Sequence, residues 1–423
     1  MLQTVQTILK EMAPDAWRIE IQQEESAELF FVKRQLDTRR IKDIDRMRVT
    51  LFRDDELGNR GFTDLNLTPG MKREEIRRQL EEGYYAASFA MNPGFAMPDP
   101  VQAEVPSPET PLVSRPLEES AARATEALFG GDVHPQAFLN SAELFLTRTH
   151  TRILSSEGTD VSWTKGRLSG EFVAQCKTPE DVEIFRNFAY DELESEALTA
   201  LVKETLSFAA DRARAQKILK SGEYDLILTG NHVREIFDYY LSRASAQMIY
   251  PEYSSWKKGM LAQPSREEFE ALDLELVATE PFSFEGIPMK DRTLLDMGVL
   301  KSIPGNNRLC RYLDTEPTGE YRKLRCTNGG SCSWEELKKG PCLWAVTFSD
   351  FQMDAMSGYF GGEIRLAYLI DEEGNMTPVT GGSVSASILD TQDRILLCRE
   401  RFSSSRYEGP YGIRLQGITV AGE

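Results

Sequence analysis

A run of segments in which apolar and polar residues alternate fills the first seventy positions, and it restricts the possible folds more than any other feature of the sequence. Trp17–Ile21, Glu28–Val32 and Arg48–Phe52 belong to this run. A period of two is typical of strands with one buried face. We interpret these segments as strands of an antiparallel meander with one polar face, which turns at 58–61 into a last strand near 62–67.

Helical spacing replaces this alternation further along the chain. Ile76, Leu80 and Tyr84 recur every four residues, which predicts a helix over about 72–89. Residues 93–116 then contain seven prolines, a composition that is typical of an extended connector. We expect this connector to cross the surface, and a strap that binds a ligand is the alternative.

The middle of the chain combines helices with two long strands. We predict a helix over 117–129 and strands over about 140–156 and 160–176. The residues Thr178–Asp181 are a hydroxyl residue, a proline and two acids, which is the signature of a helix start. A long helix is predicted over about 193–219.

The C-terminal portion is richer in short strands. Tyr224–Leu228 is predicted to be a buried strand, and Asn231 is predicted to cap a helix that runs to about 248. Ser265–Glu268 and Ser333–Glu336 fit the capping-box pattern of brief helices. The sequence therefore predicts an α+β fold, with an N-terminal helix-plus-sheet domain and a C-terminal, largely antiparallel β domain. The predicted boundaries are 1–92 for an N-terminal α+β region, 93–116 for the proline-rich connector, 117–220 for the continuation of the N-terminal domain, and 221–423 for the C-terminal sheet-rich domain.

The charge balance argues against two classes of partner. The chain has 67 acidic and 49 basic residues, a formal net charge of −18. Because this charge repels phosphate backbones and anionic lipids, we expect no contact with nucleic acid and no membrane partner. No apolar run approaches the roughly 20 residues that span a bilayer, and the first residues lack the pattern of a signal peptide. We therefore expect a cytoplasmic protein.

The three histidines, His134, His150 and His232, do not have the spacing of metal ligands. A zinc hydrolase needs two or three imidazoles, or a thiolate substitute, together with a carboxylate base. We interpret each histidine as a surface or capping residue. Phosphate-binding loops, dinucleotide fingerprints and the G-x-S-x-G pattern are also absent from the sequence, although a Ser-His-Asp arrangement of distant residues stays open.

The cysteines give a weak indication of a metal site. Four of the six lie close together in the sequence: Cys310, Cys326, Cys332 and Cys342. A zinc ribbon contains C-x2-C pairs, and this set has none. A structural metal on these four cysteines is the minor alternative to reduced cysteines near a hairpin with its turn at 328–330. Cys176 and Cys398 are predicted to be core residues.

Several segments occur in the order that is found in a known family. The segments that resemble those of the TldD/PmbA metalloproteases are Gly61–Pro69, Tyr224–Leu228, Gly358–Ile370, Pro378–Val384 and Gly417–Gly422. Each is weakly specific, but their order and spacing hold over nearly the whole chain. The resemblance implies the two-domain TldD/PmbA-like fold. The segment 304–342 departs most from the family pattern.

The resemblance also identifies positions at which the family's zinc motif is lost. In the TldD half of the family a central helix carries H-E-x-x-x-H, and a cysteine near the C-terminus completes the zinc site. The resemblance places Asp238 at the first histidine, Tyr239 at the glutamate and Arg243 at the second histidine, with Cys398 near the third ligand. An arginine stays protonated and cannot bind zinc, and a tyrosine is a poor carboxylate base. We therefore expect no catalytic residue and no cofactor, and an ion pair of Arg243 with Asp238 or another acid.

This loss resembles the PmbA half of the family, also called TldE and, in older naming, modulator of DNA gyrase. The resemblance implies a non-catalytic subunit that pairs with a zinc-containing TldD-like subunit, or with itself as a dimer, around a chamber for unfolded or leader peptides. A sheet edge could hold such peptides in extended form. Two alternatives stay open. One is a stand-alone homodimer that binds peptides or a small molecule, and the other is a divergent metallopeptidase that uses Asp238, Cys398 and His232.

Overall fold

The computed structural model describes residues 1–217 and 220–422, and the first 190 residues contribute one eight-stranded sheet. Its strands are β1 (Ala16–Val32), β2 (Gln35–Asp54), β3 (Asn59–Leu67), β4 (Asn92–Pro93), β5 (Gln102–Glu104), β6 (Ala137–Ser155), β7 (Asp160–Cys176) and β8 (Val182–Tyr190). Their order across this first sheet is β4-β3-β2-β1-β6-β7-β5, and β8 also pairs with β7. The long strands pair with one another in antiparallel fashion.

Strand β1 corrects the interpretation of the N-terminal meander. Trp17–Ile21 and Glu28–Val32, which we expected to be separate strands, are the two ends of β1. The polar run between them contains neither glycine nor proline, so nothing in it breaks an extended chain. Its backbone is paired with β2 on one side and β6 on the other. The expectation of two strands was therefore wrong.

Five helices accompany the first sheet: α1 (Leu2–Met12), α2 (Arg73–Ala86), α3 (Pro111–Ser114), α4 (Leu117–Gly130) and α5 (Ser195–Arg212). Ile19 and Leu29 lie on the same face of β1, because they are an even number of residues apart. Ile19 packs in a core with α1 and α2, and Leu29 in a core with α4 and α5. The helices thus cover one face of the sheet from end to end.

The expected helix start at Thr178–Asp181 is wrong. These residues turn the chain from β7 into β8, whose nine residues pair with residues 168–176 of β7. Ile184, Phe188 and Tyr190 of β8 are buried, and this long-range pairing overrides the local helix signal. The predicted helix over 193–219 ends at Arg212, and residues 218–219 of it lie outside the described part of the chain.

The proline-rich connector 93–116 is extended for most of its length. It contains β5, which adds a short parallel pairing to β7 at the sheet edge, and it ends with the single-turn helix α3. Leu112 of α3 is completely buried against the core of α4 and β6. The connector is therefore fastened to the first sheet at two points.

Residues 216–217 and 220–421 contribute two further sheets and five α-helices. The strands are β9 (Gln216–Lys217), β10 (Gly222–Thr229), β11 (Leu274–Val277), β12 (Arg292–Asp296), β13 (Val299–Leu300), β14 (Lys323–Cys326), β15 (Cys342–Met353), β16 (Tyr359–Ile370), β17 (Met376–Thr380), β18 (Ser383–Ser387), β19 (Ile395–Leu397), β20 (Arg401–Ser403), β21 (Tyr407–Pro410) and β22 (Gly412–Ala421). The helices are α6 (Asn231–Ala244), α7 (Ala246–Ile249), α8 (Asn307–Tyr312), α9 (Trp334–Leu337) and α10 (Ile388–Thr391).

The second sheet has the order β15-β10-β22-β18-β16-β17-β9, with β19 on β22, and the third has the order β13-β12-β11-β14-β21-β20. Helix α6 packs in a core built from strands of both sheets. Gly230, with a positive φ of 59°, precedes α6, and Asn231 provides no side-chain cap, contrary to expectation. The capping box at Ser333 is confirmed, whereas Ser265–Glu268 forms no helix.

The polar face of the first sheet faces the third sheet. Trp163 of β7 packs on Phe282, with ring centroids 6.0 Å apart, and Arg18 of β1 forms an ion pair with Glu285 at 3.5 Å. The α+β class and the fold predicted from the resemblance are confirmed. Within the described residues, no helix is both long and apolar enough to cross a membrane. The domain boundaries remain predictions.

Candidate functional site

Asp238 is engaged by another residue of its own helix. Its Oδ2 lies 2.6 Å from Nη2 of Arg234, one turn earlier on α6. Burial raises the pKa of the Asp238 carboxyl to about 6, against the attraction of Arg234 and of Arg406. Its carboxylate is therefore already paired with the Arg234 guanidinium. Arg234 lies four residues before Asp238, and this i,i+4 spacing is a signal that the sequence interpretation overlooked.

Tyr239 is part of the hydrophobic core. Only 3% of its surface is exposed. Its ring packs edge-to-face against Tyr240 and Trp256, with centroid distances of 5.3 and 5.9 Å. A side chain in this position fills space between α6 and its neighbours, and burial raises its pKa above the ordinary value. It cannot act as a carboxylate base.

Arg243 binds backbone oxygen atoms. Its Nη1 donates to the carbonyl oxygen of Tyr253 at 2.6 Å and to that of Met356 at 3.4 Å. Within the described residues it has no acidic partner within 4 Å, so the expected ion pair with Asp238 is wrong. The reason is that Asp238 is already paired with Arg234. Arg243 lies at the end of α6, next to two loops that only the tertiary fold brings close to the helix. Arg243 therefore joins those loops to the helix.

The three histidines lie on different elements. The Nδ1 of His134 accepts the backbone N–H groups of Gln136 and Ala137 in a turn. His150 contacts the Thr164 hydroxyl across the β6–β7 pair at 3.1 Å. His232 lies on α6 between the rings of Phe348 and Phe351 and contacts Glu235 at 3.3 Å. Each ring thus has neighbours that account for its position.

The cysteines are all free, and five of the six are buried. Cys398 contacts the N–H of Gly412 through its sulfur at 3.1 Å, and burial raises its pKa to about 11. Cys326 lies in the same hydrophobic core as Tyr407, and burial raises its pKa to about 12. Cys310 lies on α8 and Cys342 begins β15, so the set between 310 and 342 is distributed over several elements.

These residues do not fit a zinc ion. Zinc needs deprotonated thiolates, neutral imidazoles or carboxylates that converge on one point. Within residues 1–217 and 220–422, no three His, Cys, Asp or Glu side chains are grouped as metal ligands. At the positions that the resemblance aligns with the family's motif, the structure offers a paired carboxylate, a core tyrosine and an arginine.

A cleft of about 670 Å³ lies between the polar face of the first sheet and the third sheet with its loops. We call it the inter-sheet cleft. Its lining includes Arg18, Thr50 and Lys165 from the first sheet, and Phe284 and Tyr321 from the opposite side. No local motif in the sequence indicates this cleft, because its lining residues range from 18 to 406 in the chain.

Arg406 connects the inter-sheet cleft with helix α6. It lies in the turn between β20 and β21 and lines the cleft. Its charge also acts on Asp238, lowering that carboxyl's pKa against the effect of burial. The β20–β21 hairpin packs against the start of α6, since a Cβ at Gly230 would lie 3.7 Å from the ring of Phe402. The altered motif face of α6 is therefore close to the cleft wall.

Comparison with known proteins identifies the family of the C-terminal part of the chain. Residues 221–422 match the family model of the PmbA/TldA metallopeptidase C-terminal domain. No curated protein gives a significant sequence match. TldE from Thermococcus kodakarensis has the same fold at 15% identity, with a TM-score of 0.81 over 99% of this chain and 100% of that one.

Two further solved structures have the same fold as this chain. A protein from Thermotoga maritima, named as a candidate modulator of a DNA gyrase, matches with a TM-score of 0.79 and 16% identity over 99% of both chains. One of similar name from Bacteroides thetaiotaomicron matches at 0.80 and 12% identity, over 100% of this chain and 98% of that one. Residues 221–422 of this chain therefore form a C-terminal domain of the PmbA/TldA metallopeptidase family, and nearly the full length of the chain has the fold of TldE.

Proposed function

We propose that the chain is the non-catalytic, TldE/PmbA-like subunit of a TldD-type metalloprotease complex, and that it helps form the chamber that holds unfolded or leader peptides for cleavage. The observation that carries the proposal is the set of contacts made by three side chains of α6. Asp238 is held by Arg234, Tyr239 is packed in the core, and Arg243 binds carbonyl groups. Metal-assisted hydrolysis needs zinc ligands and a base, so we assign both to a partner subunit.

The family model and the folds of the relatives support this proposal. The matched domain is named for a metallopeptidase, and the relative from Thermococcus kodakarensis is named TldE. The inter-sheet cleft adds a place where a peptide can be held, because it offers both charged and aromatic walls.

The test is co-expression of the tagged chain with a TldD-like protein from the same genome. We expect the two to co-purify in equal amounts. We also expect hydrolysis of an unfolded, fluorescently labelled polypeptide only when both are present, with loss of activity on chelation. A chain that forms only dimers with itself and has no such partner would instead support the stand-alone binding protein.

Metal content of the chain alone separates the proposal from a divergent metallopeptidase. We expect less than about 0.1 zinc per chain after purification without chelator, because single ligands hold zinc weakly. Retention of about one zinc per chain, lost on Asp238→Ala or Cys398→Ala, would contradict the proposal. If only a cysteine between 310 and 342 were needed for retention, the metal would be structural.

A further inference from the structure

The inter-sheet cleft has a charge opposite to that of the whole molecule. The chain has a net charge of −18, yet the cleft is lined by more cations than acids. The lining cations are Arg18, Arg48, Lys165, Arg167, Arg308, Arg322 and Arg406, and the lining carboxylates are Asp191, Glu280, Glu285 and Glu320. A concave site of one sign attracts ligands of the other sign and concentrates them.

Most of the acids are already neutralised within the protein. Glu285 pairs with Arg18 at 3.5 Å. Lys165 lies 3.2 Å from both Asp191 and Glu280, and Lys323 lies 3.9 Å from Asp191, so three cations accompany these three acids. These three carboxylates therefore do not oppose an anionic ligand with their full charge. Among the four lining acids, only Glu320 lacks an ion pair within the described residues.

Four of the lining arginines have no acidic partner within 4 Å among residues 1–217 and 220–422: Arg167, Arg308, Arg322 and Arg406. They come from β7, from α8, from the segment before β14 and from the β20–β21 turn, so only the tertiary fold brings them to one cleft. Arg308 lies over the ring of Phe62 at 5.2 Å, which orients its guanidinium without neutralising it. An unpaired guanidinium presents a fork of donors that fits a carboxylate.

Aromatic walls accompany these arginines. The rings of Phe62 and Phe95 contact Phe52 at centroid distances of 6.1 and 6.2 Å. Phe284 also lines the cleft and is 44% exposed. A polyphosphate would gain little from such walls, whereas a peptide can place apolar side chains on them and its carboxylates on the arginines. The composition of the cleft therefore favours a peptide over a nucleotide.

We infer that the inter-sheet cleft binds peptide segments in which aspartate or glutamate residues alternate with apolar or aromatic ones. This inference rests on the proposed function and adds the charge class of the substrate to it. The four unpaired arginines bind the carboxylates of the peptide. The rings of Phe52, Phe62, Phe95 and Phe284 hold its apolar side chains. Because Arg406 also acts on Asp238, a bound segment would lie beside the altered motif face of α6.

The test uses the full chain and three fluorescein-labelled peptides of about ten residues, a length suited to an extended segment. The first peptide contains glutamate and phenylalanine. In the second peptide each glutamate is replaced by glutamine, and in the third each glutamate is replaced by lysine. Fluorescence anisotropy at low and high salt gives their dissociation constants. We expect the glutamate peptide to bind at least about tenfold more tightly than the glutamine peptide, and to lose this advantage at high salt.

Variants locate the site. Arg308→Gln and Arg322→Gln should each weaken binding of the glutamate peptide about three- to tenfold and leave the glutamine peptide nearly unchanged. Arg78→Gln is the matched control, because Arg78 is an exposed arginine on α2 outside the cleft. Thermal melting of each variant confirms that it is folded.

Three results would overturn the inference. They are equal affinity for the glutamate and glutamine peptides, equal effects of Arg78→Gln and the cleft variants, and binding of inorganic triphosphate at the cleft without binding of the glutamate peptide. The proposed function is contradicted by a different result, namely that no complex with a TldD-like subunit forms. A complex that forms while the peptides bind without charge preference would remove the inference and leave the proposed function standing.

Discussion

Arg234 and Asp238 lie one turn apart on α6 and are joined by an ion pair of 2.6 Å, on the helix that the sequence resemblance aligns with the family's zinc motif. The pair is mostly removed from water, with 11% of the Arg234 side chain and 26% of the Asp238 side chain exposed. Burial lowers the pKa of Arg234 and raises that of Asp238, so the low polarity of the site disfavours both charges.

The Asp238 carboxyl should give a distinct pH dependence of stability. Its pKa of about 6 lies above the value of 3.8 for a free aspartate. The folded state therefore binds the proton more tightly, and ionisation of Asp238 costs stability as the pH rises from about 4 to 6. Asp238→Asn removes this titration. We expect the stability of this variant relative to the natural protein to rise by up to about 3 kcal/mol over that range and to level off above pH 6.

Denaturant unfolding at a series of pH values measures this difference. Asp99→Asn, a change at an exposed loop position, controls for the loss of one surface charge. A difference between Asp238→Asn and the natural protein that stays constant from pH 4 to 7 would show that Asp238 is not perturbed by burial.

The two adjacent tyrosines of α6 should respond differently to loss of their hydroxyl groups. The Tyr240 hydroxyl donates to Oε1 of Gln392 at 3.2 Å in a buried environment, so Tyr240→Phe should cost about 1 kcal/mol. The Tyr239 hydroxyl has no hydrogen-bond partner within the described residues, so Tyr239→Phe should cost less than about 0.5 kcal/mol.

Tyr239→Ala, in contrast, leaves a cavity beside Tyr240 and Trp256 and should cost about 3 kcal/mol or more. The free energy of unfolding of the three variants measures these effects. A large loss on Tyr239→Phe would mean that its hydroxyl, and not only its ring, supports the fold.

Cysteine reactivity should be confined to Cys332. It is the one partly exposed thiol of the six, since the others are buried. We expect one thiol per native chain to react with an aromatic disulfide reagent near pH 8, and Cys332→Ser to abolish that reaction. Burial raises the pKa of Cys332 as well, so its reaction should be slower than that of a free cysteine.

In denaturant all six thiols should react, which provides the reference amplitude. Rapid labelling of a second thiol in the native Cys332→Ser variant would contradict the burial of the remaining five. The reacting residue can be identified by mass spectrometry of the labelled peptide.

Arg325 should stabilise the third sheet through ion pairs with three carboxylates. Its guanidinium lies 3.0 Å from Glu275, 2.9 Å from Asp291 and 3.2 Å from Glu408. Arg325→Met leaves three carboxylates facing one another without a cation. Because 28% of this side chain is exposed, we expect a loss of about 1–2 kcal/mol, below the value for a fully buried group.

High salt should reduce this loss, because it screens the repulsion among the carboxylates. Arg325→Lys keeps the charge but not the fork of donors, so it should fall between the natural protein and Arg325→Met. Equal stability of all three proteins would mean that the network contributes nothing to the fold.

Local patterns were sufficient for many elements of the fold. The period-four spacing of Ile76 and Leu80 predicted α2, and the strand at Tyr224–Leu228 with the helix behind it is present as β10 and α6. Such elements are encoded by nearby residues, because one stripe of apolar side chains determines which face is buried.

Long-range pairing decided the elements that were predicted wrongly. Residues 22–26 of β1 are polar and give little strand signal, but β2 and β6 satisfy their backbone groups. Thr178–Asp181 has the local signature of a helix start, yet the pairing of β8 with β7 makes it a turn. Hydrogen bonds between distant strands outweigh local propensities of a few tenths of a kcal/mol.

The sequence by itself determined that Arg243, at a position that the resemblance aligns with a zinc ligand, cannot take that role, because an arginine stays protonated and does not bind zinc in any fold. The ion pair of Asp238 with Arg234 is local, since the two residues are four positions apart on one helix. Only the tertiary structure decided that Arg243 binds two loop carbonyls. The inter-sheet cleft likewise exists only in the folded chain, because charge partners and cavity walls depend on which distant segments meet.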